Sequence, residues 1–104
     1  MTEKDEEVAR LRAKRGGNRG VITKLSYEVE EILKIEPIDK QRLKVIAHSL
    51  NEKLKLVESL DEKIIDCCPV KEVADEIEES HDVNSRAMDI LRMVMEATNP
   101  NPSD

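Results

Sequence analysis

The four prolines of this chain, at positions 37, 69, 100 and 102, decide how long any helix in it can be. Proline lacks the backbone N–H that a helix interior needs and disfavours α conformation in the residue before it. The stretches 1–36, 38–68 and 70–99 are proline-free. Each has room for about eight turns at 3.6 residues per turn. The sequence therefore asks first whether these three stretches carry helical patterning.

They do. Ile22, Leu25, Val29 and Ile32 step by three, four and three, which is a heptad seam. Extended backward, the seam reaches positions 18, 15, 11 and 8, so Val8 and Leu11 fall on it. In the second stretch Leu43, Ile46, Leu50, Val57, Leu60 and Ile64 form a seam that Lys53 interrupts, with Leu54 beside it. Val45, Leu56 and Ile65 widen this stripe. In the third, the predicted buried face is Val70, Val73, Ile77, Ala87, Met88, Leu91, Val94 and Met95, with a polar middle at Ser80, His81 and Asn84. Pro37 and Pro69 suit first helical positions, and Asp39 suits an N-cap.

Composition narrows the fold further. Tyr27 is the one aromatic residue, while 38% of residues are charged, against roughly 25% in an ordinary domain. Aliphatic seams between charged faces suit long amphipathic helices and leave little for a sheet or a deep ligand pocket. Short connections make sequential helices antiparallel neighbours. The expected fold is all-α: an elongated antiparallel three-helix bundle with helices over about 8–36, 39–66 and 69–97. Residues 1–7 read as a charged N-terminal segment, and 98–104 as a disordered tail. The alternative is a helical hairpin with a loosely docked third helix.

The stretch from Arg10 to Lys24 stands apart. It holds six basic residues, no acidic one, and all three glycines, Gly16, Gly17 and Gly20. Residues 1–24 carry seven basic and four acidic side chains, a net of +3; residues 25–104 carry ten and nineteen, a net of −9. The glycines predict either a flexible break or a kink in a first helix that otherwise continues. The in-phase seam and the length match with the other two helices speak for continuity, the three glycines for a break, and the sequence leaves both open. Each helical glycine costs about 1 kcal/mol relative to alanine.

Function is less legible. Arg10, Arg12, Lys14, Arg15, Arg19 and Lys24 are candidate phosphate contacts for nucleic acid or acidic lipid through salt-sensitive, sequence-blind attraction. No aromatic lies among them to stack on bases. The simpler reading is a solvated basic face, open to pairing with acidic residues of the neighbouring helices. The glycine spacing is not that of a phosphate-binding loop. Cys67 and Cys68 are adjacent, lack further ligands at metal-site spacing, and read as small apolar residues at a bundle end. No nucleophile–base pairing is visible, so no enzyme activity, cofactor or metal is expected. No run of 18 apolar residues and no signal-peptide pattern appears, which points to an intracellular, cytoplasmic chain.

From Arg12 to Leu25 the chain resembles the N-terminal helical domain of Gag-like polyproteins from Pao/BEL-type retrotransposons. There, a basic, glycine-bearing segment leads into a Val/Ile-Thr-Lys/Arg-Leu helix start, as Arg19-Gly20-Val21-Ile22-Thr23-Lys24-Leu25 does here. A long helical region rich in Glu and Lys follows. The resemblance implies a non-catalytic structural segment with an assembly or adaptor role. The two functional expectations are therefore an interaction module, associating with itself or a helical protein partner through its apolar seams, and a nucleic-acid-binding module using the basic stretch.

Overall fold

A computed structural model describes residues 3–99. Among them are three long helices and no strand: α1 (Glu3–Leu33), α2 (Lys40–Cys67) and α3 (Val73–Thr98). The helices lie up, down and up in an elongated body of 55 × 24 × 17 Å. This is the all-α three-helix bundle that the seams predict. Of the tail predicted over 98–104, Thr98 closes α3 and residues 100–104 lie outside the described residues.

α1 is continuous through the glycines, and no residue has positive φ. Two side chains in and just after this stretch bond back onto the helix's own carbonyls. Asn18 Nδ2 donates to the Lys14 carbonyl at 2.8 Å, and the Thr23 hydroxyl donates to the Arg19 carbonyl at 3.0 Å. The helix also begins earlier than expected, because the acidic segment from Glu3 is its first turn. Glu3, Asp5 and Glu6 there complement the positive end of the helix dipole. It ends at Leu33, three residues short of the predicted boundary. Its last turn tightens into i→i+3 bonds from the Lys34 and Ile35 N–H groups to Glu31 and Ile32. The Glu36–Pro37 peptide in the connection is cis.

Asp39 caps α2 as its sequence suggests, accepting a hydrogen bond from the Arg42 N–H at 3.0 Å. At the other end the Cys68 N–H donates to the Ile64 carbonyl. Pro69 does not open the third α-helix directly. It precedes a single 3-10 turn, Val70–Glu72, and α3 starts at Val73.

α2 is the spine. It packs on both neighbours, whereas α1 and α3 touch each other much less. Two apolar clusters fill the half of the bundle around the α1–α2 connection. One joins Val29, Ile32, Leu43, Ile46 and Val94. The next joins Ile22, Leu50, Leu54, Val57 and Ala87, with Leu25, Ile90 and Leu91 packed against it. Val8, Leu60, Ile64 and Cys68 are buried toward the opposite end. Cys67 is half-buried, and neither cysteine is in a disulfide.

Several expected core positions face outward. Ile77 is 52% exposed, and Val70, Met88 and Met95 are also exposed; Val73 and Leu91 are half-buried. Val45 and Leu56 flank the α2 seam in solvent and do not widen its buried face. Leu54, beside Lys53, takes the interrupted core position. In α3 the buried residues are Glu76, Ser80, Ala87 and Val94: Ala87 and Val94 are buried as predicted, while Ile77, Met88 and Met95 give way to a seam one residue earlier that Glu76 joins. The physical reason lies in the ionic layer that Glu76 joins.

Candidate interaction site

On α1, Arg12, Arg15 and Arg19 are spaced by three and four, so they project from one side of the helix. They meet a matching acidic row. Arg12 donates to Glu72 at 3.0 Å and to Glu76 at 2.8 Å. Arg15 donates to Asp61 at 3.1 Å and to Glu76 at 2.8 Å. Arg19 donates to Glu79 at 2.7 Å and lies 3.6 Å from Asp61. Asn84 Nδ2 completes the Asp61 carboxylate from α3 at 3.1 Å. One layer of charge thus links all three helices across the glycine-bearing part of α1.

Burial separates the members of this layer. The side chains of Arg15, Asp61 and Glu76 are only 6%, 7% and 8% exposed. Arg12 and Glu72 sit at the rim, where water screens them and the pair contributes little. Burial opposes the charge of Arg15, yet the hydrogen bonds it donates to Glu76 and Asp61 outweigh it and raise the guanidinium pKa above its ordinary value. For Glu76, burial pushes the carboxyl up, while the hydrogen bonds and charges of Arg15 and Arg12 push it down and prevail. The Arg12 pKa is raised, first by its hydrogen bond to Glu72. Three cations against four carboxylates leave the layer at −1. Ser80 Oγ, Asn84 Oδ1 and Arg19 Nε have no hydrogen-bond partner among the described residues.

The sign of the Glu76 shift fixes its pH dependence. The folded state holds this carboxyl below its unfolded value, so the unfolded chain takes up the proton first as pH falls. The contribution is present above the unfolded value, about 4.3 for glutamate, and is lost as pH drops through the lower folded value. Thermal melts of the wild type and of Glu76→Gln should therefore differ most near neutral pH, with the wild type more stable, and the gap should begin to close as pH falls below the unfolded value of about 4.3. A gap that stays constant down to pH 2 would mean that ionised Glu76 contributes nothing through this layer.

The six basic residues expected to form one phosphate-facing surface are divided by this arrangement. Arg10, Lys14 and Lys24 are exposed. Arg12, Arg15 and Arg19 are engaged by carboxylates, with Arg15 buried. Asp61 and Glu76 were absent from the expected site residues. Their signal was available: Asp61 follows the α2 seam by a four-residue step from Val57, and Glu76 precedes Ser80 by another.

Two further surfaces are open. The weak contact between α1 and α3 leaves a groove of about 640 Å³, lined by Ile22, Ser26, Tyr27, Ala87 and Ile90 among others. Tyr27 is 65% exposed on its rim. On α3, Ile77, Met88 and Met95 are separated by eleven and seven residues, about three and two turns, and lie along one outward line. Among the described residues no group of His, Cys, Asp or Glu is placed to hold a metal, and no helix is long and apolar enough to cross a membrane.

No family model matches the chain, and no curated protein or solved structure matches it. What the fold defines is a class: a small three-helix bundle pinned at one end by a buried ionic layer.

Proposed function

We propose that this chain is a non-enzymatic assembly module that associates with copies of itself through an apolar helix face. The observation that carries this reading is the outward line of Ile77, Met88 and Met95 on α3. These side chains are 52%, 50% and 71% exposed, although the bundle's own core is filled without them. Apolar side chains ranked along a rigid helix favour association, because burying them against a second helix removes their surface from water. The resemblance to Gag-like segments agrees with an assembly role and would place the module in a longer structural polyprotein.

Nucleic-acid or acidic-lipid binding is the weaker reading. It would rest on Arg10, Lys14 and Lys24 alone, since their three basic neighbours already have carboxylate partners. The rest of the chain, at −9 over residues 25–104, repels polyanions.

Static light scattering from low micromolar to millimolar concentration tests the assembly reading. The expected outcome is a mass that rises with concentration from the 11.9 kDa monomer. A strict monomer throughout would overturn it. The same samples titrated with generic RNA at two salt concentrations should show no binding that depends on Arg10, Lys14 and Lys24.

A further inference from the structure

We infer that two copies pair through α3 in antiparallel orientation, with Glu78 of each copy facing Arg92 of the other; this rests on the assembly reading above.

α3 carries two heptad seams one residue apart. The inner one, Glu76, Ser80, Val83, Ala87, Ile90 and Val94, faces the bundle: four of these residues are buried and two half-buried. The outer one is Ile77, His81, Asn84, Met88, Leu91 and Met95. Its steps of four, three, four, three and four are those of a coiled-coil stripe. Ile77, His81, Met88 and Met95 on it are exposed, while Asn84 and Leu91 are half-buried. A helix with a single packing duty needs one such seam. On the second, Asn84 and Leu91 reach inward to Asp61 and to the Ile22–Leu50 cluster, whereas Ile77, His81, Met88 and Met95 stay exposed among the described residues.

The occupant is identified by charge. In a coiled coil the two seams are flanked by positions that meet across the interface. One flank of the outer seam is Ser80, Ala87 and Val94, which are buried inside the chain's own bundle. The free flank is Glu78, Ser85 and Arg92, seven residues apart. Parallel pairing would set the free flank of one copy against the already buried flank of the other, with no charge to meet. Antiparallel pairing sets free flank against free flank. Glu78 then meets Arg92 of the second copy, Ser85 meets Ser85, and Arg92 meets Glu78. The same register brings Ile77 opposite Met95, His81 opposite Leu91, and Asn84 opposite Met88. The seam is therefore complementary to itself under a two-fold axis, the usual geometry of a homodimer. Arg92 is available for this contact: its partner within the chain is Asp89 at 3.2 Å, in a pair whose side chains are 69% and 64% exposed.

Charge exchange tests the register without disturbing the fold, because Glu78 and Arg92 are both exposed. Dissociation constants are measured by sedimentation equilibrium for the wild type, Glu78→Arg, Arg92→Glu and the double exchange, with helicity checked by circular dichroism. Each single exchange places like charges at both ends of the interface. It should weaken dimerisation about tenfold, and the double exchange should return it to within about twofold of wild type. Ile77→Lys with Met88→Lys should leave a folded monomer. If the wild type associates but neither set of changes weakens it, or the double exchange fails to restore it, this interface is wrong while assembly through another face, such as the α1–α3 groove, stands. A wild type that never associates overturns both readings.

Discussion

Arg15→Met is expected to destabilise the bundle by about 3 kcal/mol, the lower end of the range for breaking a buried ion pair. For a domain of this size that is a fall in melting temperature of about 12–24 °C. Methionine keeps much of the side-chain volume and removes the charge that Asp61 and Glu76 were folded around, both less than a tenth exposed. The lower end applies because Glu76 keeps Arg12, and Asp61 keeps Asn84 and the more distant Arg19. The triple change Arg15→Met, Asp61→Leu and Glu76→Leu should behave in the opposite sense. A buried ion triad replaced as a unit by apolar groups commonly leaves stability unchanged or raises it by about 1–4 kcal/mol, and here Arg12 keeps Glu72 and Arg19 keeps Glu79 at the rim. Thermal melts of the two variants separate a layer that holds the fold in register from one that merely fills space. A single variant as stable as wild type would show that these charges are solvated.

The second large effect runs toward stability. Alanine at Gly16, Gly17 and Gly20 together should stabilise the bundle by about 2 kcal/mol, from roughly 0.5–1 kcal/mol at each helical glycine. All three lie within α1, none has positive φ, and a methyl group at each would meet nothing within 4 Å beyond its chain neighbours and the adjacent backbone of its own helix. Nothing within the chain's own packing requires glycine there. Chemical denaturation should show a higher midpoint with an unchanged slope. A loss of stability in the triple-alanine variant would mean that α1 bends or opens at this stretch in solution.

The relation between sequence and structure differs from one region to the next. The helices over the α1–α2 half were legible because Ile22, Val29, Ile32, Leu43, Ile46 and Leu50 are apolar residues at heptad spacing, and apolar burial is what such spacing reports. The end of the bundle that carries the basic stretch was harder, because its inward positions are charged. Position 15 lies on the extended seam, yet an arginine there looks like a gap in the pattern until its carboxylates on two other helices are in view. The α3 error has the same origin. Two seams one residue apart compete, and hydrophobicity alone favours the one with Ile77, Met88 and Met95. The inner seam prevails because Glu76 accepts from Arg15 and Arg12 while Ala87, Ile90 and Val94 still reach the core. Hydropathy cannot rank an ionic contact against an apolar one when the partners lie 46 to 61 residues apart in sequence. The basic residues were recognisable as a group, but which would be spent inside the fold depended on that contact.

The central claim is that the basic, glycine-bearing stretch is a fixed part of the bundle and not a free arm. Hydrogen exchange at residues 8–24 tests it most directly. A packed helix tied to α2 and α3 by Arg12, Arg15 and Arg19 predicts amide protection over this stretch comparable to that of α2, falling selectively here in Arg15→Met. Exchange at the rate of an unstructured peptide in the wild type, with α2 and α3 still protected, would contradict the ionic layer and return the six basic residues to solvent as a phosphate-binding arm.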